Sequence, residues 1–159
     1  MKIAVVSDVL GEENNGTTIA AMNLIRTLKA KGHEVRVICP DADKLGRDGY
    51  YIVKTLNVGP LNNYVKKNGV NIARPDKKVI HEALRDIDEV HIMVPFLVGC
   101  YVAKYCHKHN IPLSAGFHCQ AENFSNHLFL MNAHHFNKGL YKFFYRHLYQ
   151  YCDAIHYPT

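Results

Sequence analysis

Apolar positions along the chain alternate between short β-branched runs and stretches of helical period. Residues 3–7 are short, apolar and β-branched, the pattern of a parallel strand buried on both faces, and they run into a polar, glycine-containing loop from Asp8 to Gly16. A helix is predicted next. Ile19, Met22, Ile25 and Leu28 form its inward stripe, Thr17 or Thr18 is placed to cap its start, and Lys29, Lys31 and Gly32 mark its end. His33-Glu34 leads into a second strand over 35–39. Right-handed crossover makes the two strands of this unit parallel neighbours in one sheet.

Past Pro40 the pattern loosens, and residues 50–56 read as a third strand before the Gly59-Pro60 break, whereas 57–74 carries no clear period. A helix is predicted over 76–86 with Val79, Ala83 and Leu84 inward, then a strand over 89–94 that stops at Pro95. The alternation continues with a helix over 97–109, a strand over 112–117, helices over 122–134 and 138–151, and a last strand over 154–157. Strand and helix alternate throughout, which predicts an α/β three-layer sandwich of the Rossmann type with a mostly parallel sheet. With 159 residues, 48% of them hydrophobic, the chain suits one domain with a packed core rather than two.

Composition narrows the setting more than the chemistry. The net charge of +5 permits an anionic partner without selecting one. Five cysteines, Cys39, Cys100, Cys106, Cys119 and Cys152, lie without CxxC spacing, so free thiols in a reducing compartment are expected. The apolar N-terminal stretch is too short for a signal-peptide core, and no apolar run approaches the roughly 20 residues that span a bilayer. A cytoplasmic protein is expected, with any membrane contact peripheral. From Asn123 to Cys152 there is no acidic residue, while Lys138, Lys142 and Arg146 recur every four positions and share a helix face. Leu140, Phe143, Phe144, Leu148 and Tyr151 are expected away from that basic stripe. Two readings stand: a solvated basic face over a core-packed apolar one, or a surface for anionic lipid head groups. No RNA or DNA module accompanies the charge, so nucleic acid is not an expected partner.

Ligands of open α/β sheets gather at the carboxyl ends of the strands, here the loops after Ser7, Val94 and Phe117. The first brings Asn15, Gly16 and Thr17 to a helix N-terminus, where unpaired N–H groups favour a phosphate or sugar oxygen. GxGxxG and the Lys-Ser/Thr end of a P-loop are both absent, which argues against a dehydrogenase and an NTPase. The third loop sets His118 at a strand end with Gln120, Glu122 and Asn123 close behind, a set suited to hydroxyl recognition. Glu122 reads equally as a functional group, orienting the histidine or acting as a base, or as a helix cap. Eleven histidines invite a metal, yet His107 and His109 face different ways on a helix, His134 and His135 are adjacent, and HExxH does not occur. No metal site is expected.

Ser7-Asp8, Asn15-Gly16-Thr17-Thr18, Asn23-Leu24 and Gly32-His33-Glu34-Val35 resemble the opening of family-four glycosyltransferases, in which a glycine-containing loop precedes a helix and a GHEV-like turn starts the second strand. Val90 to Phe96 resembles that family's strand running into a Pro-aromatic loop, Phe117-His118 its active-site histidine, and Ile155 to Thr159 the strand closing its first domain. The resemblance runs in order over the whole chain, although many members carry Gly-Gly where this one has Asn15-Gly16.

The resemblance implies the N-terminal, acceptor-side half of a two-domain GT-B enzyme. It implies metal-independent transfer, with retention, of a hexose from a nucleotide sugar, a UDP-sugar, to an acceptor hydroxyl; no further cofactor is expected. The donor would sit mainly on a C-terminal domain absent from this chain, leaving the isolated chain inactive. His118 would contact the donor sugar or the reacting hydroxyl, with Gly16, Pro95 and Phe96 near the ligands. The basic helix suggests a membrane lipid such as a diacylglycerol as acceptor. The alternative is a self-sufficient Rossmann-like or flavodoxin-like binding module without catalytic activity, against which the abrupt end after a strand at Thr159 counts.

Overall fold

The computed structural model describes residues 1–8, 16–57, 59, 73–119 and 134–157. Six strands, β1 (Lys2–Val6), β2 (Glu34–Cys39), β3 (Tyr50–Ile52), β4 (Glu89–Ile92), β5 (Leu113–Gly116) and β6 (Ala154–His156), form one sheet in the order β3-β2-β1-β4-β5-β6. Every neighbouring pair is parallel. This is the Rossmann-like α/β sheet expected from the sequence, with its order reversing between β1 and β4.

Among the described residues four helices, α1 (Gly16–Ala30), α2 (Lys77–Ala83), α3 (Leu97–His109) and α4 (His134–His147), flank it. Strand alternation divides their work. Ala4, Val6, Ile38, Val90, Ile92, Leu113 and Ala115 point to one face and meet Ile80, Ala83 and Leu84 of α2, Val98, Val102 and Cys106 of α3, and Phe144 and Leu148 from α4 and its end. Val5, Val35, Val37 and Cys39 point to the other, where they meet Ala21 and Ile25 of α1 together with Met93 and Val94. Burying the valine, leucine, isoleucine, methionine and phenylalanine side chains among them gives about 1.5–3 kcal/mol each.

Several expectations need correction. The third strand ends at Ile52 rather than 56, with Thr55 forming one antiparallel bridge to Ala73. On α1 the buried residues are Thr18, Ala21 and Ile25, while Ile19 is 45% exposed. Because α1 begins at Gly16, Thr17 and Thr18 lie in its first turn and neither precedes the helix as an N-cap. The helix over 76–86 is shorter, with Asp76 as its cap: the carboxylate accepts from the N–H groups of Lys78 and Val79, and Ile80 joins the buried residues. The last helix starts before 138 and gives way to a 3-10 turn, Tyr149–Tyr151. Phe143 is 41% exposed, so it does not join Phe144 and Leu148 in the core. The helix expected over 122–134 lies outside the described residues up to 133, as do Asn15, Glu122 and Asn123. Among the described residues no helix is long and apolar enough to cross a membrane.

Candidate functional site

The strand order 1-4-5 brings the ends of β1, β4 and β5 side by side, so the three strand ends singled out in the sequence share one sheet edge. Gly16 and Thr17 stand there in the first turn of α1, Pro95 and Phe96 immediately before α3, and His118 two residues past β5.

Asp8, one residue beyond Ser7 at the end of β1, holds this edge together. Its side chain is 1% exposed. One carboxylate oxygen accepts from the Val98 N–H at 2.9 Å and the other from the Gly99 N–H at 3.0 Å. Phe96, the residue before α3, supplies no side-chain cap, and Asp8 does so instead from ninety positions upstream. The dipole of α3 is therefore answered by the protein's own carboxylate. Burial lifts Asp8 to about 7, against the pull of those two N–H bonds. Gly99 lets α3 approach this closely, since a β-carbon there would stand 2.6 Å from the Val94 carbonyl oxygen. The Ser7 hydroxyl beside Asp8 is buried and has no hydrogen-bond partner among the described residues.

His118 sits on the sheet face that α1 covers farther along. Val5 of that face pairs in register with His91, His91 with Ser114, and Gly116 with His156, so all these positions point the same way. Ser114 Oγ donates to Glu89 Oε1 at 3.0 Å and lies 2.9 Å from His91 Nδ1. With the hydroxyl proton engaged by Glu89, Nδ1 of His91 must be the donor to Ser114, which leaves Nε2 unprotonated. Burial, and secondarily His118 and His156, hold His91 down at about 4, so it is neutral at neutral pH. The His118 and His156 rings are 6.1 Å apart. Burial and then His156 lower His118 as well, which favours a neutral imidazole able to donate at one nitrogen and accept at the other.

The neighbouring residue turns the opposite way. Phe117 packs among Tyr141 at 6.2 Å, Tyr149 at 5.5 Å and Tyr157 at 5.3 Å on the α4 side. Its N–H donates to the His156 carbonyl at 2.8 Å, and the Tyr149 hydroxyl donates to the Gly116 carbonyl at 3.3 Å. The backbone carrying His118 is thereby tied to β6 on one side and to the turn after α4 on the other.

Lys138, Lys142 and Arg146 are exposed along one face of α4 as their spacing requires. Three aromatic residues accompany them at the surface, Phe136, Phe143 and Tyr145, the last 61% exposed. The Phe143 ring lies 4.4 Å from that of His147, tilted by 40°. The five cysteines are unbridged, and burial raises Cys100 and Cys106 to about 12, which keeps those thiols un-ionised. Among the described residues no group of three His, Cys, Asp or Glu side chains is arranged to hold a metal ion.

Asp8, Glu89, His91, Ser114, Gly116 and His156 were not singled out as site residues from the sequence. A signal existed for β4, where Glu89 and His91 alternate with Val90 and Ile92 in the pattern of a strand with one polar face. Nothing in the sequence pairs Asp8 with α3.

Among curated proteins no sequence matches significantly. The UDP-GlcNAc 2-epimerase of Methanocaldococcus jannaschii is similar over 100% of this chain and 40% of its own, at 12% identity and a TM-score of 0.49. This chain thus spans less than half the length of that structure. The family model of Glycosyltransferase Family 4 matches residues 14–159, and the chain belongs to that family as a glycosyltransferase-type N-terminal domain.

Proposed function

We propose that the chain is the acceptor-side half of a retaining glycosyltransferase that moves a hexose from a UDP-sugar to an acceptor hydroxyl, with the donor nucleotide held mainly by a second domain. His118 carries this reading: a half-buried imidazole, kept neutral by burial and His156, at the carboxyl end of β5. It would contact the donor sugar or the reacting hydroxyl, where a neutral ring can donate to one oxygen and accept from another. The attacking oxygen belongs to the acceptor, so no covalent protein intermediate is required. In this reading the leaving diphosphate is stabilised without a metal, by helix N-termini and basic side chains. The N-terminus of α3 is already answered by Asp8, and that of α1, at Gly16 and Thr17, is proposed to meet a ligand oxygen. Glu122 and Asn123 are proposed to assist His118, and Asn15, Pro95 and Phe96 to line the ligand.

In the full-length enzyme, His118→Ala is expected to lower turnover by about 10²–10⁴-fold, the range for a lost general acid–base or hydroxyl-binding group, with the circular dichroism spectrum unchanged. Near-wild-type transfer rates would remove the assignment. The isolated chain is expected to be inactive and to bind sugar nucleotide weakly; a dissociation constant of about a micromolar by calorimetry would make this half a nucleotide domain in its own right.

The acceptor in this reading is a membrane lipid reached from the cytoplasmic leaflet, with the protein peripheral to the membrane. Its support is α4, which exposes Phe136, Phe143 and Tyr145 beside Lys138, Lys142 and Arg146. Each basic residue near an anionic membrane gives about 1 kcal/mol, so three produce a reversible, salt-sensitive attachment. Co-sedimentation with phosphatidylserine-containing vesicles at low salt is expected, weakened at high salt and in the Lys138/Lys142/Arg146 triple-Ala variant. No sedimentation at low salt would remove the lipid acceptor and leave the transferase reading standing.

A further inference from the structure

Gly116 ends β5 in ordinary strand conformation: the glycines with positive φ are Gly32, Gly46, Gly49 and Gly59 among the described residues. The backbone therefore does not require a glycine there, and glycine inside a strand is a destabilising choice. The space above it does. The three atoms nearest to a β-carbon built at Gly116 all belong to the His118 ring, with Nε2 at 2.5 Å and Cδ2 in overlap. The imidazole lies back on the bare α-carbon, its Cδ2–Nε2 edge against the strand. The strand itself is pinned, by Phe117 N–H on the His156 carbonyl at 2.8 Å and by the Tyr149 hydroxyl on the Gly116 carbonyl at 3.3 Å. A methyl group at 116 would thus displace the ring rather than the backbone. Gly99 differs, because there the nearest atom is the Val94 carbonyl oxygen and the helix itself would have to move.

We infer that Gly116 is a positioning residue for His118: by lacking a β-carbon it seats the imidazole on the end of β5, between His91 of β4 and His156 of β6, and so sets where the ring nitrogens stand toward the sugar hydroxyl. The inference rests on His118 acting in transfer, as proposed above. A displacement of the ring by the width of a methyl group is the scale at which a misplaced catalytic group loses about 10²-fold in rate.

The test is a double-variant cycle in the full-length enzyme, joined to an NMR measurement on this chain with labelled histidines. In the wild type, the His118 ring protons are expected to show a nuclear Overhauser contact to the Gly116 α-protons. Gly116→Ala is expected to shift the His118 ring resonances while those of His81, on the opposite side of the sheet, stay in place. In the enzyme, Gly116→Ala is expected to lower kcat/KM by about ten- to a hundredfold. In the His118→Ala background the same change is expected to do nothing more, since the ring it displaces is gone. Unchanged His118 resonances in Gly116→Ala would refute the seat whatever the activity. Moved resonances with full activity in Gly116→Ala would refute its role in positioning, as would an equal further loss in the His118→Ala background, which would mark a general effect on the fold. Full activity in His118→Ala alone would instead sink the catalytic reading of the histidine, and the NMR arm would still report the seat.

Discussion

One face of the sheet has two characters. Over β1 and β2 it presents Val5, Val35, Val37 and Cys39, buried beneath α1. Over β4, β5 and β6 the same face presents Glu89, His91, Ser114, Gly116 and His156. Val5 and His91 are register partners, so the change from core to polar surface takes place across one pair of strands, where the sheet order reverses. The crossovers explain it. A right-handed connection from β1 to β2 lays α1 on this face, and right-handed connections running the other way, from β4 to β5 and from β5 to β6, lay α3 and α4 on the opposite one. The polar half is tolerable because its groups satisfy each other, His91 with Ser114 and Ser114 with Glu89. Neutral imidazoles can then stand at a strand end with none of the described helices packed on them.

If the two halves differ in this way, truncation should divide them sharply. Ile25→Ala, which empties the α1 side, is expected to destabilise the chain by about 2–5 kcal/mol in urea unfolding. Similar stability in wild type and variant would mean that α1 does not seal its half. Acid should act on the polar half. His91 is held at about 4 in the fold against an ordinary 6.5, so its contribution to stability is complete above 6.5 and is lost as pH falls toward 4. Melting temperature is therefore expected to drop over that window, less steeply in His91→Gln. An identical slope in both proteins would show that the site does not bury its imidazole.

Asp8 lies on the boundary between the halves and has the reverse sign. Its carboxyl is raised from 3.8 to about 7, so its contribution is present below about 4 and is lost as pH rises to 7. The melting temperature of Asp8→Asn relative to wild type is expected to improve steadily between those values; a constant difference would contradict the buried carboxyl. Ser114→Ala should have the smallest effect, about 1 kcal/mol, because it removes one partly buried hydroxyl. Its informative consequence is spectroscopic: the nitrogen shifts of His91 are expected to report loss of a single preferred tautomer, and a retained Nδ1–H tautomer would show that Ser114 does not fix it.

Much of this architecture was legible in the chain. The predicted helix over 97–109 coincides with α3, since Pro95 blocks the strand on one side and Asn110 closes the helix in a left-handed conformation on the other. The apolar runs of β1 and β2 are unambiguous because a strand covered on both faces has no polar position to confuse. The inward stripe of α1 was misplaced because Ile19 and Ala21 exchange roles, and hydrophobicity favours isoleucine while the close approach of helix to sheet favours the small side chain. Phe143 misled in the same way, since on α4 its neighbour Phe144 takes the core and Phe143 turns to the surface.

The sequence by itself determined the order of strands and helices, the parallel α/β architecture, the strand-end position of His118 and the basic stripe of α4, because each follows from local period or spacing. Tertiary structure alone decided that Asp8 caps a helix ninety residues away, that Ser114 joins Glu89 to His91, and that His118 lies on Gly116 between two further histidines. The physical reason is that these contacts depend on register between strands distant in sequence, and hydrophobic periodicity, which fixes the face on which a side chain lies, says nothing of which residue will stand beside it.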